Sequence, residues 1–280
     1  THQPVVSGRY VLFRYSSAEF LLFDGELNQW SLIEDSRGNA QHIIGDRIVT
    51  VSSGREDFGI YDIPTRQWTR VLEGVYIIIG SSITHGSKLI FHSRSITNLA
   101  TTIIVIYDIY TKEFSSVLSP VSMFWSEHTQ AVGDYVVFHS RRTVNRLMIY
   151  SFHALNVVSL QWTSFDLSSM LADYWTMVVT AHQNVVYIAH TGRIDAIDMS
   201  TLTLFSINAP MEQPKAIDSY GSKVTFVSES STSRTLLVVV FETSMKTWTH
   251  FVVSNPLRQV LVTQNYFVTY IHNNLNSMEF

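Results

Sequence analysis

Short apolar runs recur along this chain, each set off by a tight turn. Gly8 precedes 9–13, Gly45-Asp46 precedes 47–51, Gly86-Ser87 precedes 88–92, and Gly133-Asp134 precedes 135–139. The series continues with Gln183-Asn184 before 185–188, Gly221-Ser222 before 223–227, and Gln264-Asn265 before 266–270. Gly, Asn and Asp accept the positive φ that tight hairpins demand. The runs behind them are rich in Val, Ile, Phe and Tyr, the composition of strands.

A second signal follows each run. Phe23-Asp24 leads to Trp30, Tyr61-Asp62 to Trp68, Tyr107-Asp108 to Phe114, and Phe241-Glu242 to Trp248. The aromatic stands six residues after the acid in each case. Asn156 before Trp162, and Ile197-Asp198 before Leu204 and Phe205, fit the same frame. Each unit therefore reads as four strands: a and b flank the first turn, c carries the acid, and d carries the aromatic. The acid is expected to accept backbone N–H bonds at the c–d hairpin. The aromatic is large enough to fill the space between neighbouring units.

Units of about 40–50 residues match propeller blades and are too long for leucine-rich or ankyrin repeats. The expected fold is all-β: a seven-bladed β-propeller of four-stranded antiparallel blades, forming a single domain over 1–280. The blades fall near 1–35, 36–74, 75–119, 120–168, 169–208, 209–254 and 255–280. The last blade is expected to lack its outer strand, because the chain reaches Phe280 where strand c belongs. A partner or a flanking segment is expected to supply that strand, since an open sheet edge is a liability.

The stretches Tyr61-Asp62-Ile63-Pro64-Thr65-Arg66-Gln67-Trp68 and Tyr107-Asp108-Ile109-Tyr110-Thr111-Lys112-Glu113-Phe114 resemble the kelch-type and galactose-oxidase-type propeller repeat. That resemblance covers nearly the whole chain. The Gly-Gly pair typical of kelch repeats after strand b is absent, and so are the Gly-His and Trp-Asp signatures of WD40 repeats.

Composition narrows the function classes. Apolar residues at 46% against 15% charged suit a packed protein rather than a disordered one. A net charge of −4 argues against a nucleic-acid partner bound through global basicity. Without cysteine there is no disulfide, thiolate metal site or cysteine nucleophile. No asparagine lies in a glycosylation frame, and the longest apolar runs have strand length, so no signal peptide or membrane span is read. These features slightly favour a cytoplasmic setting. The chain begins at Thr1, as an excised domain or a processed product would.

Loops on a rigid scaffold carry function, and the b–c loops here share a pattern. Each of the first six contains or adjoins arginine: Arg14, Arg55, Arg94, Arg141 with Arg142, Arg193 and Arg234. His92, His139 and His190 precede three of them. The links between blades add Tyr76, Phe124, Trp125, Tyr174 and Trp175. In a propeller these groups would line one face. Guanidinium groups bind carboxylate or phosphate through paired hydrogen bonds, and aromatics stack on rings. Surface arginines also pair with neighbouring acids to little effect.

The leading expectation is a non-catalytic interaction module that binds an acidic or phosphorylated protein segment. The resemblance adds that kelch-type adaptors use arginines from equivalent loops in this way. The alternatives are a lectin-like carbohydrate-binding propeller and a structural scaffold within a larger assembly. No cofactor or metal is expected, since the histidines lack a carboxylate pattern. An enzyme is not expected either. A galactose-oxidase-type radical site needs a Tyr–Cys link, a sialidase needs its repeated aspartate box, and no nucleophile elbow, phosphate loop or His-Glu-x-x-His helix is present.

Overall fold

The computed structural model describes residues 4–16, 19–34, 40–51, 57–72, 76–95, 101–121, 125–144, 147–166, 178–190, 192–208, 214–220, 222–229, 236–245, 247–253, 259–262, 266–271 and 274–279. All regular elements among them are strands, arranged in seven antiparallel sheets.

Sheet 1 holds β1 (Val5–Ser7), β2 (Tyr10–Arg14), β3 (Phe20–Asp24) and β4 (Gln29–Ile33). Sheet 2 holds β5 (Ala40–Ile44), β6 (Arg47–Val51), β7 (Asp57–Asp62) and β8 (Gln67–Leu72). Sheet 3 holds β9 (Tyr76–His85), β10 (Lys88–Ser95), β11 (Thr102–Asp108) and β12 (Phe114–Leu118). Sheet 4 holds β13 (Trp125–Val132), β14 (Tyr135–Val144), β15 (Leu147–Asn156) and β16 (Trp162–Asp166). Sheet 5 holds β17 (Val178–His182), β18 (Val185–His190), β19 (Arg193–Asp198) and β20 (Thr203–Asn208). Sheet 6 holds β21 (Pro214–Tyr220), β22 (Lys223–Glu229), β23 (Leu236–Glu242) and β24 (Thr247–Val253). Sheet 7 has three strands among the described residues, β25 (Gln259–Val262), β26 (Tyr266–Ile271) and β27 (Asn274–Glu279). Each sheet is a meander in chain order, as the a–b–c–d reading requires.

The chain divides into two compact units, Thr1–Glu127 and His128–Phe280. In the first unit, Tyr10, Leu12, Phe20, Leu22 and Ile33 of sheet 1 pack against Ile43, Ile48 and Tyr61 of sheet 2. The alternation of β6 then sends Val49 and Val51 the other way, onto Ile78, Leu89, Phe91 and Val105 of sheet 3. In the second unit, Val137, Phe152 and Ala154 of sheet 4 pack on Val186 and Ile188 of sheet 5. Tyr187, Ala189 and Ile194 on the opposite face of sheet 5 meet Val224, Phe226 and Val239 of sheet 6. Sheets 2 and 5 are thus covered on both faces, which is why β6 is buried without interruption from Ile48 to Val51.

The repeated acid closes the c–d turn. Asp24 Oδ1 accepts from the N–H groups of Glu26 and Leu27 at 3.0 and 3.2 Å. Asp108 Oδ1 accepts from Tyr110 and Thr111 at 2.9 and 3.1 Å, and Asn156 Oδ1 from Val158 and Ser159 at 3.0 and 2.9 Å. Four residues beyond the acid, the backbone enters the left-handed region at Asn28, Arg66, Lys112, Leu160 and Leu202. The N–H groups of Arg66, Lys112 and Leu160 return to the backbone carbonyls of Asp62, Asp108 and Asn156 at 2.9 Å. The aromatic six residues on is the cross-strand partner of the residue before the acid: Phe23 pairs with Trp30, Tyr61 with Trp68, Tyr107 with Phe114, and Phe241 with Trp248. The phrase in the sequence is therefore one hairpin, its turn held by the acid and its first rung by two rings.

Candidate functional site

Among the arginines singled out from the sequence, Arg55 and Arg234 lie outside the described residues, as do Tyr174 and Trp175. Trp125 opens β13. Arg141 and Arg142 fall within β14, opposite Tyr150 and Ile149. Arg14 ends β2, where its Nε donates to the Ser16 carbonyl at 3.2 Å. Arg94 and Arg193 are the two whose surroundings bear most on the expected site.

The three histidines are interior, at 6% exposure for His92, 0% for His139 and 5% for His190. Strand b runs through the blade, so its last residues are still walled by neighbouring strands. They are also not equivalent. His92 stands four residues past Lys88, which pairs with Asp108, and His139 stands four past Tyr135, which pairs with Asn156. His190 stands five past Val185, which pairs with Asp198. One extra residue puts a side chain on the opposite face of its sheet. His139 accordingly lies against Phe152, ring centroids 5.0 Å apart, whereas His190 turns to a carboxylate.

That carboxylate is Asp195, which is fully buried. Its Oδ2 lies 2.8 Å from His190 Nε2. Its Oδ1 accepts from Arg193 Nε at 2.7 Å and Nη2 at 2.5 Å, and from Ser206 Oγ at 2.6 Å. Burial pushes the Asp195 carboxyl up, but the bonds from His190, Ser206 and Arg193 and the Arg193 charge outweigh it and hold it below the usual carboxylate range. The connection that aligns this set has only two residues, Thr191 and Gly192 with φ +73°, between the paired His190 and Arg193. Arg193 therefore begins strand c and is bonded to its own blade. Sequence reasoning missed Asp195; the available signal was an acid two residues after the arginine, the same-face spacing of a strand.

Arg94 sits near the end of β10, opposite Thr102 and Ile77. It is half-buried, and its Nε is shielded with no hydrogen-bond partner among the described residues. Among those residues no carboxylate forms an ion pair with it. Its charge is felt by His92: burial first, and then Arg94, lower the imidazole to about 4, so His92 is neutral at pH 7. This arrangement can offer a guanidinium fork to an incoming anion.

No family model matches the chain, and no curated protein matches it in sequence. Its fold does have solved counterparts. The β-propeller domain of the Trilobed protease from Pyrococcus furiosus is 9% identical over 99% of this chain and 96% of that one, with a TM-score of 0.59. Hsv2 of Kluyveromyces lactis is 12% identical over 97% of this chain and 89% of that one, at 0.56. A chain of the mitotic checkpoint complex is 10% identical over 99% of this chain and 86% of that one, at 0.61. At such identities the likeness establishes the fold alone. The chain is an all-β protein of propeller blades.

Proposed function

We propose that this chain is a non-catalytic, kelch-like protein-interaction module that engages an acidic or phosphorylated protein segment through loop arginines, Arg94 foremost. The observation that carries this reading is the shielded Nε of Arg94, which has no acceptor among the described residues. A guanidinium donor kept from water without a partner is costly, and a carboxylate or phosphate accepts two parallel bonds from the fork. A protein segment, unlike a free anion, would also cover the strand end and exclude the water that competes for it.

The test is titration with acidic peptides, and with phosphorylated and unphosphorylated versions of one sequence, at low and high salt. Binding is expected to weaken as the Debye length contracts from about 10 Å at 0.1 M to about 3 Å at 1 M. Arg94→Ala should abolish it. Arg94→Lys should restore little, because the ammonium keeps the charge but lacks the fork. Binding indifferent to Arg94 would move the assignment to a scaffold role.

A further inference from the structure

Sheet 2 departs from the repeat at one place. Five residues beyond the a–b turn, strand b carries Phe13, Phe91, Phe138 and Phe226 in sheets 1, 3, 4 and 6, Ile188 in sheet 5 and Thr269 in sheet 7. In sheet 2 that residue is Thr50. Its partner on strand c is Gly59, where the five sheets with Phe or Ile pair Leu21, Val105, His153, Asp195 and Val239. In sheets 1 and 4 the phenylalanine meets the strand-d tryptophan: Phe13 lies 5.7 Å from Trp30, and Phe138 lies 5.7 Å from Trp162. Trp68 of sheet 2 has a threonine and a glycine beside it instead.

The missing ring leaves a cavity of about 180 Å³ lined by Thr50, Asp57, Phe58, Gly59, Trp68 and Arg70 among others. Glycine is required at its wall. A Cβ on residue 59 would lie 2.9 Å from Thr50 Oγ1 and 3.1 Å from the Trp68 ring. Thr50 is 1% exposed, and its hydroxyl has no hydrogen-bond partner among the described residues. Asp57 is buried, and its carboxylate is paired with the exposed guanidinium of Arg70. Trp68 is fixed from outside by donating Nε1–H to the Glu34 carbonyl at 2.9 Å.

These groups define an occupant. Asp57 and Arg70 neutralise each other, so the site selects no net charge. Asp57 accepts, Arg70 donates and Thr50 does both, so the ligand must offer donors and acceptors close together. Trp68 calls for an apolar surface on the same molecule. A hydroxylated ring carries all three properties. The cavity is smaller than the roughly 300–1,000 Å³ of drug-sized sites, so it suits one ring and not an extended chain. We propose that this pocket binds a single neutral sugar residue, with vicinal hydroxyls on Asp57, Arg70 and Thr50 and its C–H surface against Trp68. The site is independent of the Arg94 reading.

The test uses the full chain and ligand-detected saturation-transfer NMR. One arm contains free D-glucose, D-galactose and D-mannose; the other contains their methyl glycosides, which stand for the terminal residue of a glycan. Saturable transfer to ring C–H protons of at least one sugar is expected, together with a shift of the Trp68 indole N–H. Transfer confined to the glycosides assigns the site to glycan ends, and equal transfer in both arms assigns it to the free sugar as well. Thr50→Phe, which restores the ring of the repeat, should weaken binding more than tenfold. Thr50→Val keeps the shape without the hydroxyl, and Asp57→Asn keeps the shape without the charge; each should weaken binding several-fold. Absence of saturable transfer in the native chain, as a pocket holding only water would give, overturns the proposal. Equal binding by the native chain, Thr50→Val and Asp57→Asn overturns it too, even if Thr50→Phe does not fold.

Discussion

Sheets 3 and 5 each place an arginine where strand b gives way to strand c, yet the two arginines meet different fates. Two things differ: Arg193 opens strand c whereas Arg94 lies near the end of strand b, and the two sheets carry different residues at one interior position. Asp195 pairs with Ile188 on strand b and Ser206 on strand d. Val105 holds the same place in sheet 3, pairing with Phe91 and Ser116. In sheet 5 the carboxylate gathers Arg193, His190 and Ser206 into a closed set. In sheet 3 the valine joins the apolar core, and Arg94 keeps a shielded donor with no partner among the described residues. Arg193 is thus held by a carboxylate two residues along its own strand, whereas Arg94, paired with Thr102, lies on the opposite face of its sheet from Val105 and forms no ion pair with a carboxylate among the described residues. Counting loop arginines in a sequence does not reveal which is which.

The comparison is broken most directly at Asp195. Removing one member of a buried ionic set leaves the others desolvated without compensation, which costs about 3–5 kcal/mol. Asp195→Ala is expected to lower unfolding free energy by that amount in urea titration, and Asp195→Asn by less, because the amide still accepts one bond. A loss under about 1 kcal/mol in the alanine variant would mean that Arg193 is no more firmly held than Arg94.

Acid should separate the two sheets in a fixed order. His92 has a folded pKa of about 4 against an ordinary value of 6.5. Between those values the unfolded chain binds a proton that the folded chain does not, so stability falls as pH drops from 6.5 towards 4. Asp195 has a folded pKa below its ordinary 3.8. Its contribution is complete above that value and is lost only as pH falls further, through the depressed folded pKa. Amide exchange in sheet 3 should therefore quicken between pH 6.5 and 4, after allowance for intrinsic rates, while sheet 5 holds until the medium is more acid. His42, also lowered to about 4 by burial, adds to the first phase. Arg94→Ala should raise the His92 pKa in an NMR titration, modestly, because burial is the larger cause of the shift. An unchanged His92 pKa would mean that the Arg94 charge does not reach the ring.

What the sequence discloses here follows from range. The acid, its turn and the aromatic lie within seven consecutive residues, so Asp108 and Phe114 announce their hairpin locally. The number of blades follows by repetition, and sheet 7 ends at its third described strand where the pattern leaves it. Left-handed backbone at Leu160 and Leu202 was not legible, because neither residue favours it and the Asx-held turn imposes it. The one-residue offset of His190 depends on the register that pairs Val185 with Asp198 and His190 itself with Arg193. The cavity beside Trp68 required knowing that Thr50 faces Gly59 across a strand pair. Those features belong to register, which spacing along the chain specifies only once the turns are known.

The smallest test of the comparison uses the two strand-d serines. Ser206 Oγ donates to the buried Asp195, so Ser206→Ala removes one of the bonds that keep that carboxylate ionised, at a cost of about 1 kcal/mol. Ser116 occupies the matching place opposite Val105 and is exposed. Ser116→Ala should stay within about 0.5 kcal/mol of the parent. The two substitutions delete the same atom from the same position of the repeat, so the intrinsic strand preference of serine against alanine cancels between them. What survives in the difference is the demand that Asp195 makes on its neighbours. Equal effects in matched urea titrations would mean that Arg193 and His190 satisfy the carboxylate without the serine, and that the closed set in sheet 5 is a triad of His190, Arg193 and Asp195.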